Sequence, residues 1–358
     1  MNKLKQYFAV VAIAIMTAIS AQAQKIEVVD AEGHGIPLVS VLNEDGTFIG
    51  ATDMSGCLND VKGAEKVALT HVAYQPQLVT VASLPNGRVT MKDIDYGLEE
   101  LVVKPKPYIY VEIFYRVYVY RNDSLCYFNS GIMPNAFDPQ KKKLEHGNYN
   151  HARAEHCNKM GAAVTWTVRA QRLGAGEVPT GSLEAIERLM KDRYFISATI
   201  DNPNHTTYSN PEGVVGQQVR TGGQLRITLD AGKSQMYANK AKGQTKLLEK
   251  RQDVGYDYQY TRVYKDNKEK DYDIASFMMV SNHWEYNDKK SHVKFIIENY
   301  ATDHYYMDKK EWKAKKKSVK EDFGTQMSLD QLAAYERQHN IPVLPAATRQ
   351  AIGKLKQW

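Results

Sequence analysis

The residues best suited to chemistry gather between positions 146 and 157, where His146, His151, His156 and Cys157 stand close together. Imidazole nitrogens and a thiolate are the usual ligands of zinc. A spacing of five, however, turns successive side chains ~140° apart on a helix and onto opposite faces of a strand. Only a loop would gather them, and the cluster lacks the paired-cysteine spacing of structural zinc sites. No histidine has glutamate three residues later, and His-Glu-x-x-His is absent, so a zinc peptidase is not supported. A Gly-x-Ser-x-Gly elbow, a phosphate-binding loop and a dinucleotide fingerprint are absent as well. Asp303, His304 and Glu112 have no identifiable acid–base partners and read as surface or strand-end residues. The expectation is a non-enzyme with no catalytic residue, no cofactor and no metal.

Two other patterns point to binding. From Tyr108 to Tyr120 the chain alternates without a break. Ile109, Val111, Ile113, Tyr115, Val117 and Val119 share the side expected to face a core. Tyr108, Tyr110, Glu112, Phe114, Arg116, Tyr118 and Tyr120 share the other, so Tyr108, Tyr110, Phe114 and Tyr118 are the expected ligand or partner face. The second pattern is the charge cluster Lys309, Lys310, Lys313, Lys315, Lys316, Lys317 and Lys320. Its core, Lys313 and Lys315 to Lys317, reads either as a contact for anionic headgroups or an acidic partner, or as a solvated helix or loop.

These patterns sit in a chain of 358 residues, 43% hydrophobic, enough for one large or two ordinary domains. Lys3 and Lys5 precede an apolar run from Phe8 to Ile19, and Ala21-Gln22-Ala23 offers small residues to a signal peptidase. The run is short of the ~20 residues a spanning helix needs, so residues 1–23 read as a signal peptide and the address as periplasmic or outer-membrane-facing. Two of the +6 formal charges are Lys3 and Lys5, and residues 1–23 hold no acid, which leaves +4 without the leader. That balance does not suggest nucleic acid as a partner. Three cysteines, Cys57, Cys126 and Cys157, do not make a disulfide scaffold, although a Cys126–Cys157 bridge is possible.

From Lys25 to Lys92, about seven short β runs alternate with turns such as Asn43-Glu44-Asp45-Gly46 and Asp53-Met54-Ser55-Gly56, the pattern of a β-sandwich. Val29-Asp30, Gly35 to Val41, Thr52-Asp53-Met54-Ser55-Gly56 and His71-Val72-Ala73-Tyr74 occur in the order of a known family. The stretch resembles the carboxypeptidase-regulatory-like, transthyretin-like β-sandwich of exported Bacteroidetes proteins, with Ala73 where that family carries glycine. Leu98 to Val103 is similar to the segment that follows this module in TonB-dependent transporters, but the chain is too short for their barrel. The resemblance implies a structural module and export, not catalysis. The reading divides the chain into a leader (1–23), a sandwich (24–95), an exit strand with the joint Lys104-Pro105-Lys106-Pro107 (96–107) and a larger domain (108–358).

In that larger domain Asn122-Asp123 predicts a hairpin into Leu125–Asn129, and residues 144–159 read as polar and irregular. Further strands are expected at 163–171, 194–200, 214–220, 224–229, 256–264, 274–285 and 292–300. Helices are expected from Ser182 to about Lys191, from Ser328 to about His339 with a capping box, and from Ala346 to Lys356. The fold class is therefore mainly β: a seven-stranded sandwich followed by a larger antiparallel curved sheet or half-barrel with a few helices. The outline is similar to periplasmic lipoprotein carriers at the level of fold alone. The function expected is an exported envelope protein that binds or docks to a protein, glycan or lipid. A carrier of an apolar ligand is the alternative, and a hydrolase with an unrecognised site comes third.

Overall fold

The computed structural model describes residues 25–94, 108–141, 143–148, 150–157, 167, 170–171, 173–178, 197–211, 213–230, 256–265, 274–288, 291–318 and 326–357. The leader, the exit strand with its Lys-Pro joint, and the helix expected from Ser182 lie outside these residues.

The sandwich has seven strands: β1 (Ile26–Val29), β2 (Ser40–Asn43), β3 (Phe48–Ala51), β4 (Cys57–Leu58), β5 (Lys66–His71), β6 (Tyr74–Thr80) and β7 (Arg88–Thr90). They form a three-stranded sheet, β4-β1-β7, and a four-stranded sheet, β3-β2-β5-β6. The sequence signatures of the module are its fasteners. The Thr52 hydroxyl accepts from Val39 N at 2.9 Å and donates to Ile36 O at 2.7 Å. The Asp53 carboxylate accepts the N–H groups of Ser55 and Cys57, both at 2.9 Å, which closes the turn. Gly56, at φ +77°, lies against Gly35; a Cβ on Gly56 would come within 2.4 Å of Val28 O and 2.7 Å of Gly35 Cα. Only glycine fits both the backbone angle and the gap.

Among the described residues, the larger domain is built on a twelve-stranded antiparallel sheet. Its strands are β8 (Tyr108–Arg121), β9 (Ser124–Asp138), β10 (Lys143–His146), β11 (Asn150–His156), β12 (Ser197–Asn202), β13 (His205–Asn210), β14 (Gly213–Thr221), β15 (Gln224–Asp230), β16 (Tyr256–Lys265), β17 (Phe277–Asp288), β18 (Ser291–Met307) and β19 (Lys356–Gln357). The order is β12-β13-β14-β15-β16-β17-β18-β8-β9-β11-β19, with β10 also on β9. The β8–β9 turn is Asn122-Asp123 as expected, both at positive φ. Among the described residues, three α-helices follow the long strands: α1 (Lys309–Ser318), α2 (Leu329–Gln338) and α3 (Ala346–Gly353). Ser328 caps α2 with both bonds of a capping box: its Oγ accepts from Gln331 N and its own N–H donates to Gln331 Oε1.

Two expectations need correction, and one strand has no counterpart among those expected. Residues 143–146 and 150–156 are strands rather than irregular chain, because Ala152 and Ala154 are small enough to bury flat against β9. Thr167, Ala170 and Gln171, expected in a strand, are helical. The polar run His205–Asn210 is a strand whose partners on both sides supply the order that its own sequence lacks.

The sheet carries a core on each face. Ile109, Val111, Ile113, Tyr115, Val117 and Val119 pack with Val215, Ile227, Tyr264 and Phe295. On the other face Phe114, Tyr118, Tyr120, Ile296 and Tyr300 join Val41, Leu69, Val72 and Tyr74 of the sandwich, together with Leu332, Leu344 and Ile352. The sandwich is thus packed onto the large sheet through a common core.

Candidate binding surface

The aromatic row of β8 was the first candidate. The structure buries all of Tyr108, Tyr110, Phe114 and Tyr118 and covers the row with the chain's own elements. Tyr110 packs against Tyr305 at 4.7 Å between ring centroids and against Trp312 of α1 at 6.4 Å. Phe114 meets Tyr335 of α2 at 5.1 Å. Tyr118 packs on Phe128, and Tyr120 on Phe48 of the sandwich, both at 5.4 Å. The row expected as a ligand or partner face is therefore interior: β8 is covered both on this aromatic side and on its largely aliphatic one.

In the middle of that row sits Arg116, buried between the large sheet and α2. Its Nε is 2.9 Å from Glu298 Oε2, its Nη1 3.0 Å from Glu336 Oε1 and 2.8 Å from Pro342 O, and its Nη2 2.6 Å from the Tyr300 hydroxyl. Tyr118 also donates to Glu298 Oε2, at 3.0 Å, and Leu344 N donates to Glu336 Oε2 at 3.2 Å. Burial raises the Glu336 carboxyl above its ordinary range, and Arg116 pulls it back. Beside the network lies a cavity of about 30 Å³ touching Ser40, His71, Arg116, Glu298 and Thr348, room for a water or two. The two carboxylates face one guanidinium and cannot act as a free acid–base pair.

A second polar junction fixes the sandwich further along the sheet. Arg226 of β15 lies with its guanidinium 4.4 Å from the Tyr74 ring centroid, bonds the Tyr74 hydroxyl and reaches Asp93 Oδ1 at 3.1 Å. Gln224 Nε2 donates to Ile94 O at 2.9 Å and Gln217 Nε2 to Gly35 O at 3.2 Å. Tyr74, in the His71-Val72-Ala73-Tyr74 stretch of the sandwich, is therefore one of the residues that hold it to the sheet.

The histidines of the 146–157 stretch are dispersed. His146 pairs with Asn135 and His156 with Tyr127, positions eight apart on β9, which is ~27 Å along a strand. His146 Nδ1 is 2.8 Å from Asn135 Oδ1, whereas His156 is buried on β11. The side chain of His151 lies outside the described residues. A set not singled out by the sequence, Asp30, Glu32 and His34, has ligand atoms within 4.8 Å of one another. Asp30 already accepts the N–H groups of Glu32 and His34 at 3.1 and 2.8 Å, and Thr221 donates to Glu32 at 3.2 Å. Those bonds build the turn and its contact with the sheet.

The lysine cluster lies on a helix at the surface. Asp308 caps α1: its Oδ1 accepts from Lys310 N at 2.7 Å and Glu311 N at 2.8 Å, and Glu311 Oε2 accepts from Asp308 N. This Asp308-x-x-Glu311 pattern was the signal that could have placed the helix from sequence alone. Trp312 anchors it, fully buried, with Nε1 donating to Glu145 Oε2 at 2.9 Å. The ammonium groups of Lys315 and Lys316 lie 5.2 Å from the Tyr110 ring and 5.8 Å from the Trp312 ring, with Lys315 half-buried and Lys316 exposed. Lys310, Lys313 and Lys317, at i, i+3 and i+7, form an exposed line, flanked by exposed Lys309. The lysines of the last turn also oppose the negative end of the helix dipole.

No known protein-family model matches the chain, and no protein of curated function matches it. Among the described residues, no helix is long and apolar enough to cross a membrane.

Proposed function

We propose that this chain is an exported, non-enzymatic protein of the cell envelope that docks onto an anionic lipid surface through α1. The observation that carries the reading is the exposed line Lys310, Lys313 and Lys317 on a helix whose opposite side is anchored by Trp312. Lysines projecting from a fixed helix lose little freedom on contact, and each adds attraction of about 1 kcal/mol near an anionic surface. Because Trp312 is buried inside the protein, contact is by charge at the headgroups, without insertion of an apolar face. The leader and the resemblance to the regulatory-like module of exported Bacteroidetes proteins support the periplasmic or outer-membrane-facing address. The module acts in this reading as a packed buttress of the sheet.

The carrier alternative calls for an apolar cavity, and the face of the sheet away from the sandwich is packed with the side chains of Ile109 to Val119, Ile227 and Phe295. The hydrolase alternative calls for convergent free acids, and Glu298 and Glu336 are both committed to Arg116. Co-sedimentation with vesicles tests the docking role. The chain without its leader should pellet with phosphatidylglycerol-containing vesicles and stay in solution with phosphatidylcholine alone. Equal behaviour with both lipids would reject the proposal.

A further inference from the structure

The register of β9 and β11 brings two cysteines together across the sheet. Tyr127 faces His156, so the next pair is Cys126 and Cys157, and Cys157 N donates to Cys126 O at 2.8 Å. Opposed residues of an antiparallel pair stand ~4.5–5.5 Å apart at Cα, inside the ~4.4–6.8 Å range of disulfides. Residues directly opposite one another also send their side chains to the same face of the ladder. Cys57, the third cysteine, belongs to β4 of the sandwich and to another sheet. Cys157 is exposed and Cys126 half-buried. Burial, and then the neighbouring Cys157 thiol, push the Cys126 thiol up to about 12, which suits exposed Cys157 to react first and Cys126 to resolve.

We infer that Cys126 and Cys157 are a disulfide-forming pair that staples β9 to the end of β11 when the chain meets a disulfide oxidant. The Cys157 thiolate attacks one sulfur of the oxidant and expels the other as a thiolate. Cys126 then gives up its proton to solvent and attacks the Cys157 sulfur of the mixed disulfide, releasing the second thiolate. Two protein thiols lose two electrons and two protons, and one oxidant disulfide becomes two thiols. The staple pins β11, which also holds the C-terminal strand β19, and so fixes that end of the sheet. This inference is independent of lipid docking.

The test uses the full chain without its leader, reduced, desalted and incubated with glutathione disulfide. Thiols are then titrated in denaturant and the peptides mapped by mass. The expected result is a fall from three titratable thiols to one, that one being Cys57, with a loss of about 2 Da and no glutathione adduct on the pair. Cys126→Ser should leave Cys157 carrying glutathione. Because the fold supplies the proximity, the native chain should form the 126–157 bond at least roughly tenfold more readily than the chain in guanidinium chloride. Persistent thiols at both positions, glutathione on both, a bond to Cys57, or equal reactivity in native and denatured chain would each overturn the inference.

Discussion

Arg116 is a permanent charge held away from water by Glu298, Glu336, Tyr300 and the Pro342 carbonyl. Removing the guanidinium strands two buried carboxylates, and breaking such a pair costs about 3–5 kcal/mol. Arg116→Met should lower the urea unfolding free energy by that amount, and adding Glu336→Gln should restore part of it. His283 makes a different demand. It is buried beside Ser281 Oγ at 3.1 Å, and burial, then Lys294, lower its pKa from 6.5 to about 3. The folded value lies below the unfolded one, so between these limits the unfolded chain takes up a proton that the folded chain refuses. Stability therefore falls as pH falls through this window, by about 2 kcal/mol at pH 5 for this histidine. His71, buried near Arg226 and His283, is shifted the same way. Urea unfolding at pH 7 and pH 5 should show the loss, and His283→Gln should remove part of it, the rest lying with His71 and His146, which burial lowers as well. An unchanged pH dependence in the variant would count against a neutral buried His283.

At the scale of elements, local signals that satisfy orphan backbone groups were the readable ones. Ser328 and Gln331 close a capping box, and Ser328→Ala should cost about 1 kcal/mol, measurable as a lowered urea midpoint with unchanged slope. The Asp-Gly and Asp-x-x-Gly turns of the sandwich were legible for the same reason: carboxylate acceptors and positive φ are properties of a few residues. What escaped was set by pairing and packing with other elements. His205–Asn210 has no apolar alternation and is a strand only because β12 and β14 flank it. Residues 150–156 needed β9 as a template. The aromatic row of β8 was visible as a row, but its cover comes from positions 312 and 335 and from the sandwich, and no local pattern names a partner 200 residues away. The lysine cluster was found, whereas which lysines lie over rings, Lys315 and Lys316, depends on where the rings of Tyr110 and Trp312 sit.

At the scale of the molecule, the sandwich and the large sheet share an apolar core and two buried polar junctions, one centred on Arg116 and one on Arg226. Elements that share a core unfold together. Tryptophan fluorescence and far-UV circular dichroism should therefore trace one coincident unfolding transition; two separated transitions would mean that the sandwich is an independent bead. A body of this kind presents its charged helix at a fixed place, which is what docking requires. The most direct test sets Lys310→Glu/Lys313→Glu/Lys317→Glu against Lys25→Glu/Lys92→Glu/Lys354→Glu, three exposed lysines elsewhere, so that both variants change net charge equally. With phosphatidylglycerol vesicles in ~0.15 M salt, where diffuse attraction is largely screened, the first variant should lose at least roughly tenfold in partitioning and the second should bind like the parent. Equal losses in both, or none in either, would contradict the assignment of α1 as the docking surface.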